Sequence, residues 1–232
     1  MVRTAEKGFT LIELSMVLVI IALLAGGVTV GASLIKNAEI RAVVREVEQF
    51  RSAFNTFDLQ YNGVPGDFAE AYDFFSTKPN CISAVNCNGD GDGKIEASAV
   101  NDTDESLKVW IHLVAADIVP GSYNGTAVLG VPVLGTNVPE SKQGTSGYYA
   151  EYGTDSFAKN NVLRFGRPTG VSTIENTISP DDARNIDSKI DDGLPASGNV
   201  HSTTASTANC QDGTKYLIDK QVLECGLSFR ID

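Results

Sequence analysis

Apolar and polar positions divide the chain into three stretches with different periods. From Phe9 to Ile35 the run is almost continuously apolar, and Glu13 is its one ionisable side chain. That is long enough to cross a bilayer, which takes about 20 apolar residues as a helix. Beyond it the pattern turns amphipathic. Ile40, Val43, Val44, Val47, Phe50, Phe54, Phe57 and Tyr61 recur mostly at three- and four-residue steps, with Arg41, Arg45, Glu46, Glu48 and Arg51 between them. This is the signature of a helix with one covered face. No proline precedes Pro65, so one nearly continuous helix is predicted from Phe9 to Tyr61, roughly 80 Å long.

At Tyr61 the composition shifts to Gly, Pro, Asn and Asp with short apolar runs. Tyr61-Asn-Gly-Val-Pro-Gly-Asp67 reads as the turn that stops the long helix. A second helix is predicted over Asp102–Asp117, opened by a capping-box-like Asp102 and Glu105, with Leu107, Trp110, Ile111, Val114 and Ile118 on one face. Trp110 and His112 are read there as packing residues. A third helix should start at Ser179-Pro180-Asp181-Asp182 and end near Gly193. Strands are expected near Thr126–Leu134, Gly147–Tyr152, Asn161–Phe165, Lys215–Asp219 and Val222–Phe229, the last two as a hairpin. Pro195 to Asn209, rich in Ser and Thr, reads as a mobile surface loop. The expected fold class is α+β: a long N-terminal helix packed by its second half on a head with a small antiparallel sheet. The divisions are a leader at 1–8, an apolar helix half at 9–35, an amphipathic half at 36–61 and a globular head at 62–232.

The apolar run has three readings. A secretory signal peptide would have a shorter apolar core and a small-x-small cleavage site, and Ala22-Leu-Leu-Ala25 does not supply one. A plain membrane anchor leaves Glu13 unexplained, since an acidic side chain inside such a segment is costly and is a functional candidate by default. The third reading uses every feature. Gly8-Phe9-Thr10-Leu11-Ile12-Glu13, followed by a membrane-length segment, resembles the leader junction of type IV pilins and type II secretion pseudopilins. The resemblance implies cleavage after Gly8 by a prepilin peptidase, methylation of the new amine at Phe9, and assembly at an inner-membrane platform. It also implies that Glu13 pairs with the N-terminal amine of a neighbouring subunit and so selects the stagger between subunits. No partner for the Glu13 carboxylate is expected within its own segment. The leader is taken as cytoplasmic and the head as periplasmic before assembly. Many pilins carry a proline within the apolar segment; here Val30 stands near that place, with Gly26, Gly27 and Gly31 around it. Those glycines are either a weak point in the helix or a surface for close helix packing.

Charge and cysteines narrow the rest. The net charge of −11 argues against nucleic acid, whose phosphates need clustered Lys and Arg. Cys81, Cys87, Cys210 and Cys225 lack metal-finger spacing, and the pairs Cys81–Cys87 and Cys210–Cys225 are the expected arrangement of the three that four cysteines allow. The one chemical-looking motif in the head is Asn88-Gly-Asp90-Gly-Asp92-Gly-Lys-Ile-Glu96, the first half of an EF-hand-type loop. The twelfth position is Ala99, so calcium would have to take Glu96 or an acid between Asn101 and Glu105 to complete a set with Asn88, Asp90 and Asp92. The alternative is a solvated turn. No cofactor other than calcium is suggested.

Three further words look like those of bacterial prepilin-type proteins without an assigned activity: Tyr-Asn-Gly-Val-Pro-Gly-Asp-Phe, Asn-Val-Pro-Glu-Ser-Lys and Ile-Asp-Ser-Lys-Ile-Asp-Asp-Gly. No GxSxG, HExxH or phosphate-cradling loop points to an enzyme. The expected function is a structural subunit of a pilus-like polymer. A secretion pseudopilin is the alternative, and a membrane-anchored periplasmic enzyme or binding protein is the third.

Overall fold

The computed structural model describes residues 8–97, 104–127, 131–153, 157, 159–170, 173–203, 208–220 and 222–231. The first element, α1, runs Leu11–Tyr61 without a break. It is long and apolar enough to cross a membrane, and none of its most apolar window is buried. The chain divides into two compact units, one ending at Glu39 and the other spanning Ile40–Asp232. In the first unit the large apolar side chains of α1 lie open, from Leu11 to Ile35. In the second, Ile40, Val43, Val47, Phe50, Phe54 and Phe57 are buried, at three- and four-residue steps.

Past α1 come two short helices, α2 (Ala71–Phe75) and α3 (Ala84–Cys87), then α4 (Glu105–Ala115). Trp110, Leu107 and Leu113 of α4 are fully buried. Phe50 of α1 meets the Trp110 ring at 5.1 Å and the Tyr148 ring at 4.9 Å, both edge-on. The core therefore lies between the amphipathic half of α1, α4 and the sheet. Helix α5 (Pro180–Ile190) opens as its sequence predicts: Ser179 accepts from the Asp182 N–H, and Pro180 occupies the first turn, where its missing donor is not needed.

The sheet has five antiparallel strands: β1 (Gly147–Tyr152), β2 (Asn161–Gly170), β3 (Thr173–Glu175), β4 (Val200–Ser202) and β5 (Leu227–Arg230). The order is β1-β2-β5-β4, with β3 paired to β2. The register of β2 against β3 shifts between Pro168 and Gly170, where the proline has no N–H to give the ladder. The edges on β1 and β4 carry further contacts. On β1, the Tyr148 N–H goes to Pro139 O and the Tyr152 N–H to Ile95 O. On β4, the Ser202 N–H goes to Pro195 O and the Val200 N–H to the Asp191 carboxylate.

Several expectations are corrected. Helix α4 starts at Glu105 with Asp104 at its N-cap, and no side chain caps it; Asp102 lies outside the described residues. No strand forms over Thr126–Leu134 among the described residues; Leu134 makes one isolated bridge to Val138. Lys215–Asp219 is not a strand, because the chain turns there, with the Lys220 N–H on Leu217 O. The anticipated hairpin does not form among the described residues, and Leu227–Arg230 pairs instead with β2 and β4. Part of the supposed mobile loop is the buried edge strand β4; residues 204–207 lie outside the described residues.

Candidate functional site

Gly8 and Phe9 precede the first turn of α1, and Phe9 is 87 % exposed. A Cβ on Gly8 would meet nothing within 4 Å, so packing in the subunit does not require a glycine there. The same holds at Gly26, Gly27 and Gly31, where the subunit itself makes no close approach. Thr10 and Glu13 form a capping box. The Thr10 N–H and hydroxyl both donate to Glu13 Oε2 at 2.8 Å, and the Glu13 N–H donates to Thr10 Oγ1 at 3.3 Å. The expectation that Glu13 has no partner in its own segment is thus corrected. Its Oε1 takes no hydrogen bond among the described residues, so one carboxylate oxygen remains open while the other closes the helix start.

The acidic loop of the head has a different architecture from the one its motif suggests. The carboxylates that lie together, with oxygens within 4.8 Å of one another, belong to Asp67, Asp90 and Asp92. Asp67 comes from the turn after α1 and is 2 % exposed. Its Oδ1 accepts from the Gly91 and Asp92 N–H groups at 2.6 and 3.2 Å, and its Oδ2 from Gly93 at 2.7 Å. Gly89 lets the two segments touch, since a Cβ there would lie 2.2 Å from the Asp67 carbonyl carbon. Burial raises the Asp67 pKa, and the Gly93 and Gly91 amides pull it back down.

One of the proposed calcium ligands is used elsewhere and another stands apart. Asn88 Oδ1 accepts from the Tyr72 N–H at 2.7 Å, and the Asn88 carbonyl accepts from the buried Lys108 ammonium at 2.6 Å. Glu96 is exposed and outside the carboxylate group. Asp92 is ion-paired with Lys94. Ala99 and residues 101–103, considered for completing the loop, lie outside the described residues. Among the described residues, the two oxygens of Glu105 accept from the Asp90 and Glu96 N–H groups at 2.9 and 3.0 Å. Burial pushes its pKa up to about 7. Among the described residues, the trio Asp67, Asp90 and Asp92 is the set in this loop that could hold a metal ion, and its oxygen-only chemistry suits a hard cation.

His112 is a buried cross-link. The Gly66 N–H donates to its Nδ1 at 2.8 Å, and its Nε2 donates to Cys87 O at 2.6 Å, which makes it neutral with the proton on Nε2. Desolvation lowers its pKa to about 4. Disulfides join Cys81 to Cys87 and Cys210 to Cys225.

The three prepilin-like words become hydrogen-bonding hubs. In the first, Asp67 holds the 91–93 loop. In the second, Asn137 ties Val133, Asn124 and Thr126, while Ser141 and Lys142 bind the Glu46 carboxylate of α1. Glu46 Oε2 also accepts from the buried Tyr148 hydroxyl at 2.7 Å. In the third, Asp187 accepts from the Tyr216 hydroxyl at 2.8 Å and the Gly193 N–H at 3.1 Å. Asp191 accepts from the Asn199 and Val200 N–H groups. Asp187, Asp191 and Asp192 form a second close carboxylate group, and burial raises the Asp187 pKa to about 7. Sequence reading singled out these words without assigning the side chains a task.

Residues 3–29 match the family model of the prokaryotic N-terminal methylation motif. This is the prepilin-type cleavage motif of type IV pilins and pseudopilins, and it supports a pilin or pseudopilin class of protein. No curated protein and no solved structure matches the chain.

Proposed function

We propose that the chain is a structural subunit of a type IV pilus-like filament. A prepilin peptidase cuts after Gly8, and the Phe9 amine is methylated. The segment 9–35 holds the subunit in the inner membrane with its head in the periplasm, and then becomes a filament-core helix. The observation that carries this reading is the methylation motif at 3–29 leading into a helix whose apolar surface lies open through Ile35. That surface needs lipid or other apolar helices around it.

Glu13 is the residue for register. Its Oε2 stays in the capping box while Oε1 receives the cationic amine of a neighbour, a charge-assisted contact available at one stagger. Mass spectrometry of the mature protein tests processing. An N-terminus at methylated Phe9 is expected; an intact Met1 or an N-terminus near Gly26 would overturn the reading. Filament images from cells making the chain then separate a surface pilus from the short polymer of a secretion pseudopilus. Calcium binding in the head is proposed for Asp67, Asp90 and Asp92 in place of the four residues its motif suggests.

A further inference from the structure

Exposed apolar side chains of the head gather in two places. Among the described residues past α1, Phe74, Ile82 and Val85 stand on or beside α2 and α3, at 57, 74 and 76 % exposure. Leu194 and Ile218 are exposed in the lining of a groove. Val133 and Leu223 belong to neither place. Gathered apolar exposure of this kind marks an interaction surface.

The first place is rigid and its open charge is negative. Helix α2 packs on α3, and the Cys81–Cys87 disulfide closes the segment that carries Ile82 and Val85. Ser83 caps α3 by accepting from the Asn86 N–H at 3.3 Å. The Phe74 ring meets Tyr61 edge-on at 5.6 Å. Glu70 and Asp73 are exposed, and their carboxylates make no hydrogen bond or ion pair among the described residues. Lys78, the one cation from Glu70 to Cys87, is paired with Asp117 at 2.6 Å.

The second place is a groove of 380 Å³ between α5 and the turn at 215–219, lined by Arg184 and Lys215 beside Leu194 and Ile218. Its wall is also fixed. The Tyr216 hydroxyl donates to Asp187 of α5 at 2.8 Å, and the Cys210–Cys225 disulfide spans the turn. The open charge here is positive. Of the head's Lys and Arg side chains that make no hydrogen bond or ion pair among the described residues, Arg184, Lys189, Lys215 and Lys220 stand on α5 and this turn, and only Lys142 and Lys159 stand elsewhere. Asp219 is the one carboxylate among the lining residues. Asp212 and Asp191, close in sequence, are occupied by backbone N–H groups.

We propose that the Phe74 surface of one copy seats in the Arg184–Lys215 groove of the next, with Phe74 against Leu194 and Ile218 and with Glu70 and Asp73 facing Arg184 and Lys215. Both places stay exposed in the single chain, so the chain does not cover one with the other. Their open charges are opposite, and each sets its charge beside apolar side chains. Both are held in shape before they meet, which keeps the ordering cost of the contact low. The two patches differ, so each added copy presents the same free groove and the same free Phe74 surface again, and the contact repeats along a polymer. The contact rests on the polymer reading above and adds a junction between heads to it.

The test uses the full-length chain in membranes. Phe74→Cys with Ile218→Cys should give a ladder of oxidised, linked oligomers, and neither single variant should. Arg184→Glu with Lys215→Glu should lower assembly by about tenfold or more, and so should Glu70→Lys with Asp73→Lys, because like charges then face each other. All four together should restore assembly to near the wild-type level. Unchanged melting of each variant, followed at Trp110, shows that the head is folded.

The contact is overturned if the paired cysteines give no ladder in a chain that assembles. It is overturned equally if Phe74→Cys alone links copies, since two Phe74 surfaces would then meet each other, or if folded charge variants assemble normally or are not restored by the swap. The polymer reading is separable. If the wild type forms no oligomers, that reading falls and the contact with it. If the wild type assembles and Glu13→Ala does not, a missing ladder removes the contact alone.

Discussion

The two halves of α1 obey the same backbone rules and differ in what covers them. From Leu11 to Ile35 the large apolar side chains face outward, Leu11 at 89 % exposure and Leu23 at 72 %. From Ile40 to Phe57 one stripe is sealed, with Val47 and Phe57 at 0 %. Burial contributes about 25 cal/mol per Å², so the second half gains its stabilisation from its own chain. The first half gains it only from lipid or other subunits. One helix thus joins a stretch that stabilises the fold to a stretch proposed for association. Substitutions in the two halves should fail in different assays.

The strongest test of that contrast is a pair of truncations. Phe57→Ala removes a fully buried ring that touches Tyr61, Phe68, Phe75 and His112. It should destabilise the head by about 3–5 kcal/mol. Denaturant unfolding can be followed by the one tryptophan, Trp110, which lies in the head core. Leu18→Ala should leave that curve unmoved while weakening membrane retention or assembly. A head destabilised by Leu18→Ala would erase the distinction.

A smaller effect is expected where the second half is fastened by polar groups. Glu46→Ala strips the acceptor from the Tyr148 and Ser141 hydroxyls and the Lys142 N–H. A loss of about 1.5–3 kcal/mol follows for bonds to a charged group, read in the same unfolding experiment. A variant as stable as the wild type would show that packing alone fastens the helix.

Head stability should also depend on pH. Burial raises Asp187 from 3.8 and Glu105 from 4.5, both to about 7. A carboxyl with a raised folded pKa binds its proton more tightly when folded. Its stabilisation is full below the unfolded value and is lost as pH rises through about 7. His112 acts in the opposite sense. Its pKa falls from 6.5 to about 4 on burial, so acidification across that interval destabilises the head. The raw profile mixes the two signs, and the informative quantity is the difference between wild type and Asp187→Asn. The variant should lose the acid-side gain between about pH 4 and 7. Parallel profiles would show that Asp187 titrates normally.

The smallest effect is calcium. An ion at Asp67, Asp90 and Asp92 present at ten times its dissociation constant would add about 1.4 kcal/mol, read as a rise in melting temperature that EDTA reverses and Asp90→Ala abolishes. If EDTA and Asp90→Ala both leave melting unchanged, the loop is held by hydrogen bonds alone.

Legibility followed sequence distance. The Gly8–Glu13 junction, the α1 stripe and the Ser179 cap are local patterns, and each could be read from a window of a few residues. The acidic loop was legible as a turn but not in its fastening. Asp67 lies 24 residues before Gly91 and 26 before Gly93, and nothing in the loop's own spacing names it. Glu105 has the spacing of a capping box, yet its carboxylate reaches back to amides nine and 15 residues away. Strand β4 was missed because His201, Ser202 and Thr203 are polar residues that the fold nonetheless buries. Tyr216-Leu-Ile218 has the apolar run of a strand, but a turn and the Cys210–Cys225 bridge take the chain elsewhere.

The contacts along the sheet edges have a consequence for life at close quarters. Heads crowded side by side meet at local concentrations where an open strand would add its neighbour's and start an amyloid-like ladder. Here β1 is met by Pro139 and Ile95, and β4 by Pro195 and Asp191. Among the described residues, these contacts leave strand-to-strand growth less room on the β1 and β4 edges.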